Sequence, residues 1–171
     1  MADMGRKQQG LTLIELMVTL AVAIILITVG MPMFTGMAAN NRAAAQTNDL
    51  VSALKLARSE AVKRSTPVVA RRAGAAWSDG WLVFIDDDND GVDDTGETVL
   101  RSWDAPVGGT VTSGGVDFVS FAATGENNGA QVNFVLDQAD ATGSSRRCVS
   151  ATGTGQVRMK KEQAGTTWSC P

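Results

Sequence analysis

Residues 6–32 read RKQQGLTLIELMVTLAVAIILITVGMP, and this stretch decides the first part of the fold. Two bases, Arg6 and Lys7, precede an apolar run of 19 residues, Leu16–Phe34. A bilayer-spanning helix needs about 20 apolar residues, whereas the apolar stretch of a cleaved secretory signal has about 7–15. The run therefore predicts a retained, single-pass transmembrane helix over about residues 13–34, with its basic flank in the cytoplasm.

A single carboxylate, Glu15, stands next to the start of this apolar run. A lone carboxylate inside a bilayer costs about 3 kcal/mol by insertion scales. A partner cation would offset that cost and would fix the axial register of one helix on another. The alternative is that Glu15 only marks the membrane surface.

The helical pattern continues beyond the membrane segment, from Asn40 to Arg64. The apolar residues that recur there at helical spacing are Leu50, Val51, Leu54, Ala57 and Ala61. We therefore predict one long helix over residues 11–64, with a transmembrane half and an amphipathic half that packs on a globular domain. Gly30, Pro32 and Gly36 predict a kink or a local break near its middle.

From Thr66 onward, short alternating or apolar segments are separated by Gly, Asn and Asp, which is typical of antiparallel strands. The predicted strands are 67–71, 81–85, 98–103, 116–122, 131–136, 147–151 and 156–160. Residues 107–115 and 123–130 are rich in glycine and predict loops. The fold class is therefore α+β: a long N-terminal helix packed on antiparallel β-sheets, with the β-rich domain over residues 65–171.

Composition argues against an enzyme. The 171 residues include no His, which removes imidazole ligands and His-based acid–base catalysis. No nucleophile elbow or phosphate-binding loop is present in the sequence either.

The most specific local motif is the acidic segment 86–97, DDDNDGVDDTGE, which contains seven acids and no base. The sequence D-x-D-x-D-G-x5-E matches the calcium-loop pattern, in which hard oxygen ligands surround a sharp turn at Gly91. The predicted calcium ligands are Asp86, Asp88, Asp90, Asp94 and Glu97. The alternative is a solvated acidic turn that keeps a hairpin edge soluble.

The two cysteines, Cys148 and Cys170, lie in the part of the chain predicted to be outside the cytoplasm, where disulfides persist. A metal pair would lack companion ligands. We therefore predict a disulfide that pins the C-terminal tail to the domain, with two free thiols as the alternative.

The segment GLTLIELMVTLAVAIILITVGMP resembles the class III signal of type IV pilins and type II secretion pseudopilins. LVSALKLARSEAVKRSTPV is similar to the helix of the GspH/FimT branch, and GWLVFIDDDNDGVDDTGETVLR to the hairpin that follows in FimT-like proteins. The resemblance covers essentially the whole chain. It is strong over residues 6–32 and 50–101 and weaker after Val107.

This resemblance implies a type IV pilin fold and a specific maturation. A prepilin peptidase would remove residues 1–10 by cleaving between Gly10 and Leu11, and would methylate the new α-amine of Leu11. Many relatives have Phe at that position, and Leu11 is an apolar departure. Glu15 would pair with the α-amine of a neighbouring subunit. The implied location is the bacterial inner membrane, with the C-terminal domain in the periplasm, and then a helical fibre of pilins or pseudopilins.

The basic C-terminal region resembles the FimT-like ending in which a G-R-x-R element binds DNA in some members. Here the element reads Gly155, Gln156, Val157 and Arg158, so the first Arg is replaced by Gln. The candidate phosphate contacts are Arg146, Arg147, Arg158, Lys160 and Lys161. The alternative is a strand edge protected by solvated bases.

Three functions remain open on the sequence. The first is a FimT-like minor pilin that takes part in assembly or priming of a type IV pilus. The second is a DNA-binding module of a transformation pilus, and the third is a GspH-type pseudopilin of the type II secretion system.

Overall fold

The computed structural model describes residues 12–138, 146–162 and 170. The chain forms two compact units, residues 1–35 and 36–171. One α-helix, α1 (Leu13–Arg64), belongs to both, and a short 3-10 helix covers Trp77–Asp79. The strands are β1 (Val68–Arg72), β2 (Trp81–Ile85), β3 (Thr98–Trp103), β4 (Gly109–Thr112), β5 (Phe118–Phe121), β6 (Val132–Gln138), β7 (Arg147–Ala151) and β8 (Val157–Lys161).

The first unit holds the apolar half of α1. Within the described residues, α1 is the one helix long and apolar enough to cross a membrane, by length and composition. Its large apolar side chains from Leu13 to Val29 are each half exposed or more. Such a surface is covered by lipid or by other apolar helices rather than by this chain.

The predicted break in the helix is absent, because α1 is helical without interruption from Gly30 to Gly36. A proline removes one N–H donor, but the hydrogen bonds of the flanking turns remain available. Pro32 alone was therefore insufficient to end the helix. The predicted local break was wrong, and the predicted kink stays a prediction.

The second unit packs the rest of α1 on two four-stranded antiparallel sheets. Their strand orders are β3-β2-β1-β5 and β4-β6-β7-β8. α1 contributes Leu50, Ala53, Leu54, Ala57 and Ala61 to the core cluster. Four of these were predicted, Ala53 was not, and the predicted Val51 is only partly buried. Small residues on this face let the helix approach the sheets closely.

Aromatic side chains fill the space between the sheets. Trp77 meets Phe134 edge to face, with ring centroids 4.7 Å apart. The indole N–H of Trp77 donates to the carbonyl of Val116 at 2.7 Å, so its polar atom is satisfied inside the core. Burying each such side chain contributes about 1.5–3 kcal/mol.

Strand β4 lies inside the segment 107–115, which the sequence predicted as a loop. The pairing comes from tertiary contacts: β4 adds to the edge of β6, with Val111 opposite Leu136. Val111 is buried, and its N–H donates to the Ser78 hydroxyl at 2.8 Å. One inward-facing side chain and a long-range partner therefore outweigh the local glycine content.

Candidate functional site

The start of α1 presents Glu15 in a defined position. Thr12 lies just before the helix, and its Oγ1 accepts the backbone N–H of Glu15 at 3.3 Å. The segment Thr12–Glu15 thus has the sequence of a capping box, T-x-x-E. It forms the first of the two capping-box hydrogen bonds, from the Glu15 N–H to the Thr12 hydroxyl. Glu15 lies in the first turn, where its carboxylate is exposed and available to a cation from outside the chain. The predicted processing residues Gly10 and Leu11 lie outside the described residues.

The acidic segment 86–97 connects β2 to β3 and is held by its own first and last carboxylates. Asp86 is 1% exposed; it accepts the N–H groups of Asp90 and Gly91, each at 3.2 Å. Glu97 accepts the N–H groups of Asp87 at 2.9 Å and Asp94 at 3.0 Å. Positions 1 and 12 of the calcium pattern therefore both point into the loop.

The carboxylates of this loop form two overlapping groups. Oxygen atoms of Asp86, Asp88 and Glu97 lie within 4.8 Å of one another, and so do those of Asp88, Asp90 and Asp94. An ionised carboxylate has about four lone-pair sites, so those that accept N–H groups can still coordinate a cation. All five predicted ligands are thus brought together with Asp88 in common, and oxygen ligands of this kind fit calcium.

Burial raises the pKa of Asp86 above its usual range, and the negative charge of Glu97 adds to the shift. The hydrogen bond from the Gly91 N–H opposes it. The ionised form of this carboxylate is therefore poorly compensated by the chain itself. A bound cation would favour ionisation.

The acidic loop is also packed against sheet residues. Gly91 has φ +76°, and a Cβ there would collide with the ring of Phe118 on β5. Arg71 on β1 donates from Nη1 to the Gly91 carbonyl at 2.5 Å. Glycine is therefore required at the turn both for its φ and for its contact with the aromatic ring.

The structure confirms the predicted disulfide between Cys148 and Cys170, whose Cα atoms are 5.7 Å apart. Cys148 lies on β7 and is fully buried. The bond therefore anchors Cys170 to the middle of the second sheet.

The structure does not place the five predicted DNA-contacting bases on one surface. Arg146 pairs with Asp137 at 3.1 Å, and Arg147 donates to Asn40 on α1. On β8, side chains alternate between faces, so Arg158 and Lys160 share one face while Lys161 lies on the other. The Nε–H of Arg158 donates to Gln156, which occupies the position of the missing Arg, at 2.8 Å.

Two further bases were missed by the sequence analysis. Lys55 and Arg58 on α1 line a groove of about 580 Å³ together with Gly155 and Gln156. Arg58 donates from Nε to the Gly125 carbonyl at 2.9 Å. These residues are about 100 positions from the β7–β8 turn in sequence, so no local pattern connects them.

The family-level comparison decides the identity. The model of the type II transport protein GspH matches residues 46–155, which is more than half of the chain. The chain belongs to the GspH family. The model of the prokaryotic N-terminal methylation motif matches residues 5–31 of the same chain. This GspH-family chain is thus a pilin-like subunit of either a type IV pilus or a type II secretion system.

Two solved structures, both of a minor pilin, confirm the pilin fold of the GspH-family chain. Two crystal structures of the type IV minor pilin FimU from Pseudomonas aeruginosa PAO1 are each 22% identical to it, with TM-scores of 0.58 and 0.56. They cover 70% and 68% of this chain and 89% and 91% of FimU. The minor pseudopilin EpsH of the Vibrio cholerae type 2 secretion system is 12% identical, with a TM-score of 0.49, over 70% of this chain and 97% of EpsH. No curated protein matches the chain significantly.

The two family models match different candidate sites. The methylation motif contains Gly10, Leu11 and Glu15, and the GspH match contains the whole acidic loop. The match ends at Gly155, so β8 with Arg158 and Lys160 lies beyond it.

Proposed function

We propose that this GspH-family chain is a FimT-like minor pilin that is inserted in the inner membrane and then taken into a type IV pilus. One observation carries the proposal: the methylation motif at residues 5–31 includes the exposed apolar side chains of α1 from Leu13 to Val29. A helix whose apolar side chains are this exposed among the described residues is suited to exchange lipid for sister helices. Residues 36–171 would remain in the periplasm.

Maturation under this proposal begins with a prepilin peptidase, which cleaves between Gly10 and Leu11 and methylates the new α-amine. Glu15 then lies in the first helical turn of the mature chain. The hydrogen bond from its backbone N–H to the Thr12 hydroxyl holds the backbone at Glu15 in place. A carboxylate and the α-ammonium of a neighbouring subunit attract strongly in an apolar medium, so the pair would set the axial register.

Fractionation of sheared surface fibres tests this function. The wild-type chain and Glu60→Gln should be recovered with the fibres, whereas Glu15→Val should remain in the membrane fraction. Glu60 is the matched control because it is a carboxylate of α1 whose partners, Lys63 and Arg64, lie on its own helix. Equal recovery of Glu15→Val and wild type would contradict the proposal.

A GspH-type pseudopilin is the second candidate, because the matching family model carries the name of the type II transport protein. The same fractionation separates the two machines when it is repeated in a strain that lacks type II secretion. A minor pilin would still be found with the fibres there, and a pseudopilin would not.

DNA binding is a further proposed activity of the displayed domain. It is supported by the shared face of Arg158 and Lys160 on β8 and by the nearby groove with Lys55 and Arg58. In gel shifts with the full chain in detergent, Arg158→Ala should weaken binding and reduce the salt slope by about 1. Arg101→Ala removes a base from the edge of the other sheet and should leave the mobility shift unchanged. Wild-type chain that does not shift DNA at low salt would exclude the activity.

We also propose that the acidic loop binds calcium, on the strength of its two overlapping carboxylate groups, which share Asp88. Calcium at about 100 times its Kd would stabilise the folded chain by about 2.7 kcal/mol. Asp88→Asn should remove most of the calcium-induced rise in melting temperature, because Asp88 belongs to both carboxylate groups. Asp93→Asn is the matched control, since Asp93 belongs to neither. No shift of the wild type at millimolar calcium would exclude the site.

A further inference from the structure

The outer face of the first sheet carries a second apolar cluster, separate from the core under α1. Val68 and Ala70 belong to that core, and side chains alternate along a strand, so Val69 points to the opposite face. Val69 pairs with Phe84 on β2, and both side chains are 0% exposed although neither belongs to the core cluster. A part of the chain other than α1 therefore covers this face.

The acidic loop, residues 86–97, lies over this outer face. Arg71 is two positions from Val69 and lies opposite Phe118 on β5, so all three side chains share the face. Gly91 is buried, and a Cβ there would lie 2.5 Å from the Phe118 ring. The Gly91 carbonyl also accepts a hydrogen bond from the Arg71 guanidinium. The middle of the loop is thus folded back onto β1 and β5.

The same fold encloses the first carboxylate of the loop. Asp86 is 1% exposed, and its oxygens accept the N–H groups of Asp90 and Gly91. Oxygen atoms of Asp86, Asp88 and Glu97 lie within 4.8 Å of one another. A cation bound by these three would join both ends of the loop to the carboxylate that it encloses.

The closed loop has little positive charge to hold it. It contains seven acids and no base, and like charges repel. Within the described residues, none of the ion pairs includes one of its carboxylates. Its one bond from a base, Arg71, is to a backbone carbonyl. Closure without a bound cation is therefore opposed by the charge of the loop itself.

We propose that calcium closes the acidic loop over Val69 and Phe84, and that its release uncovers them together with Phe118. This inference rests on the proposed calcium site and adds a consequence of binding there. Calcium thereby sets whether the second unit presents an apolar patch on the outer face of its first sheet. Exposed apolar patches of this kind are typical surfaces for protein–protein contact.

Thiol labelling with a maleimide measures the opening on the full chain in detergent, because both native cysteines are paired. Val69→Cys places a thiol under the loop, and Ala70→Cys places one on the core side of the same strand; both native side chains are 0% exposed. Calcium at about 100 times its Kd should slow labelling of Val69→Cys about 100-fold relative to chelator, since the loop then opens only after calcium leaves. Ala70→Cys should label slowly in both conditions.

Equal labelling rates of Val69→Cys in calcium and in chelator would overturn the proposal. Fast labelling of Ala70→Cys in chelator would also overturn it, because the whole domain rather than the loop would then be opening.

Three variants in the Val69→Cys background assign the effect to the loop. Asp88→Asn should remove the protection by calcium, because Asp88 belongs to both carboxylate groups, whereas Asp93→Asn should keep it. Gly91→Val places a side chain against the Phe118 ring and should label fast with or without calcium. Protection that Asp88→Asn retains would contradict the proposal.

Hydrogen exchange of the wild type provides a second measurement that needs no substitution. Calcium should slow exchange of the amides of Asp90 and Gly91 and leave β7 unchanged. Exchange in the loop that does not respond to bound calcium would argue against closure.

Melting curves of the same samples separate the cover from the calcium site. A calcium-induced rise in the melting temperature, with unchanged labelling of Val69→Cys, would keep the site and overturn the cover. No rise for the wild type at millimolar calcium would exclude the site, and the calcium-dependent cover with it.

Discussion

The guanidinium of Arg147 on β7 donates from Nη2 to both the carbonyl oxygen and the side-chain Oδ1 of Asn40 on α1, at 3.3 and 3.1 Å. The contact joins residues 107 positions apart in sequence. It ties the second sheet to the helix. The Nε of the same side chain is buried and has no hydrogen-bond partner among the residues that the structure describes.

Arg147→Met should therefore destabilise the chain although an apolar residue replaces a base. Losing a charged hydrogen bond to the Asn40 side-chain oxygen costs about 1–3 kcal/mol. Arg158→Met on exposed β8 should change the free energy of unfolding by less than about 0.5 kcal/mol. Denaturant unfolding of both variants checks this, and equal midpoints would show that Arg147 is only a solvated base.

Gly155 should not tolerate a side chain. Its φ is +74°, and a Cβ there would collide with the carbonyl of Gly125. Gly155→Ala should cost at least about 2 kcal/mol, from the left-handed backbone and the overpacking together. Gly153→Ala is the matched control in the same turn, because nothing lies within 4 Å of its Cβ position and its φ is not in the left-handed region. Similar melting temperatures for the two variants would be inconsistent with this packing.

The ion pair between Arg72 and Asp117 should make the free energy of unfolding depend on pH in the acid range. The Arg72 guanidinium, 2.8 Å away, lowers the pKa of Asp117. A carboxylate with a lowered folded-state pKa contributes stability above its unfolded value of about 3.9, and that contribution is lost as the pH falls through the folded-state pKa. Asp117→Asn should therefore be less stable near neutrality and should show a shallower fall in unfolding free energy below about pH 4.

The control for this pH series is Asp93→Asn, an exposed acid in the acidic loop. It should keep the wild-type slope. An unchanged slope for Asp117→Asn would mean that the ion pair with Arg72 does not persist in solution.

Breaking the disulfide should weaken the domain rather than abolish the fold. Cys148 and Cys170 are 22 positions apart, and closing a loop of that length stabilises by about 3 kcal/mol in the chain-entropy model. The variant with both cysteines changed to alanine should lose about that amount in denaturant unfolding. Without reductant, an alkylating reagent should add no mass to the folded wild type, since both cysteines are paired; modification under those conditions would contradict the bond.

Local patterns were enough for the helix and most strands. The helical spacing of apolar residues that continues to Ala61 and the short apolar run Trp81–Ile85 depend on near neighbours, and the structure forms α1 and β2 there. Strand β4 was missed because its pairing with β6 is long-range. The role of Arg147 was missed for the same reason, since a base on a predicted strand gives no sign of a partner on α1.

Of the candidate sites, one could be predicted from a local sequence pattern and another could not. The spacing of five acids in segment 86–97 predicts their convergence, because a short turn brings them together. The apolar cluster under the acidic loop has no sequence signal. Val69 and Phe84 come from different strands, and only the folded sheet shows that they lie on the face opposite the core under α1.

The most direct test of the pilin-like assignment is mass spectrometry of the N-terminus of the chain purified from cells that contain a prepilin peptidase. The assignment predicts a mature chain that begins at Leu11 and carries one methyl group on its α-amine. Cells that lack the peptidase should yield a chain that retains residues up to Gly10. A chain that keeps these residues in the presence of the peptidase, or one cleaved after the apolar run as a secretory signal would be, would contradict the central claim.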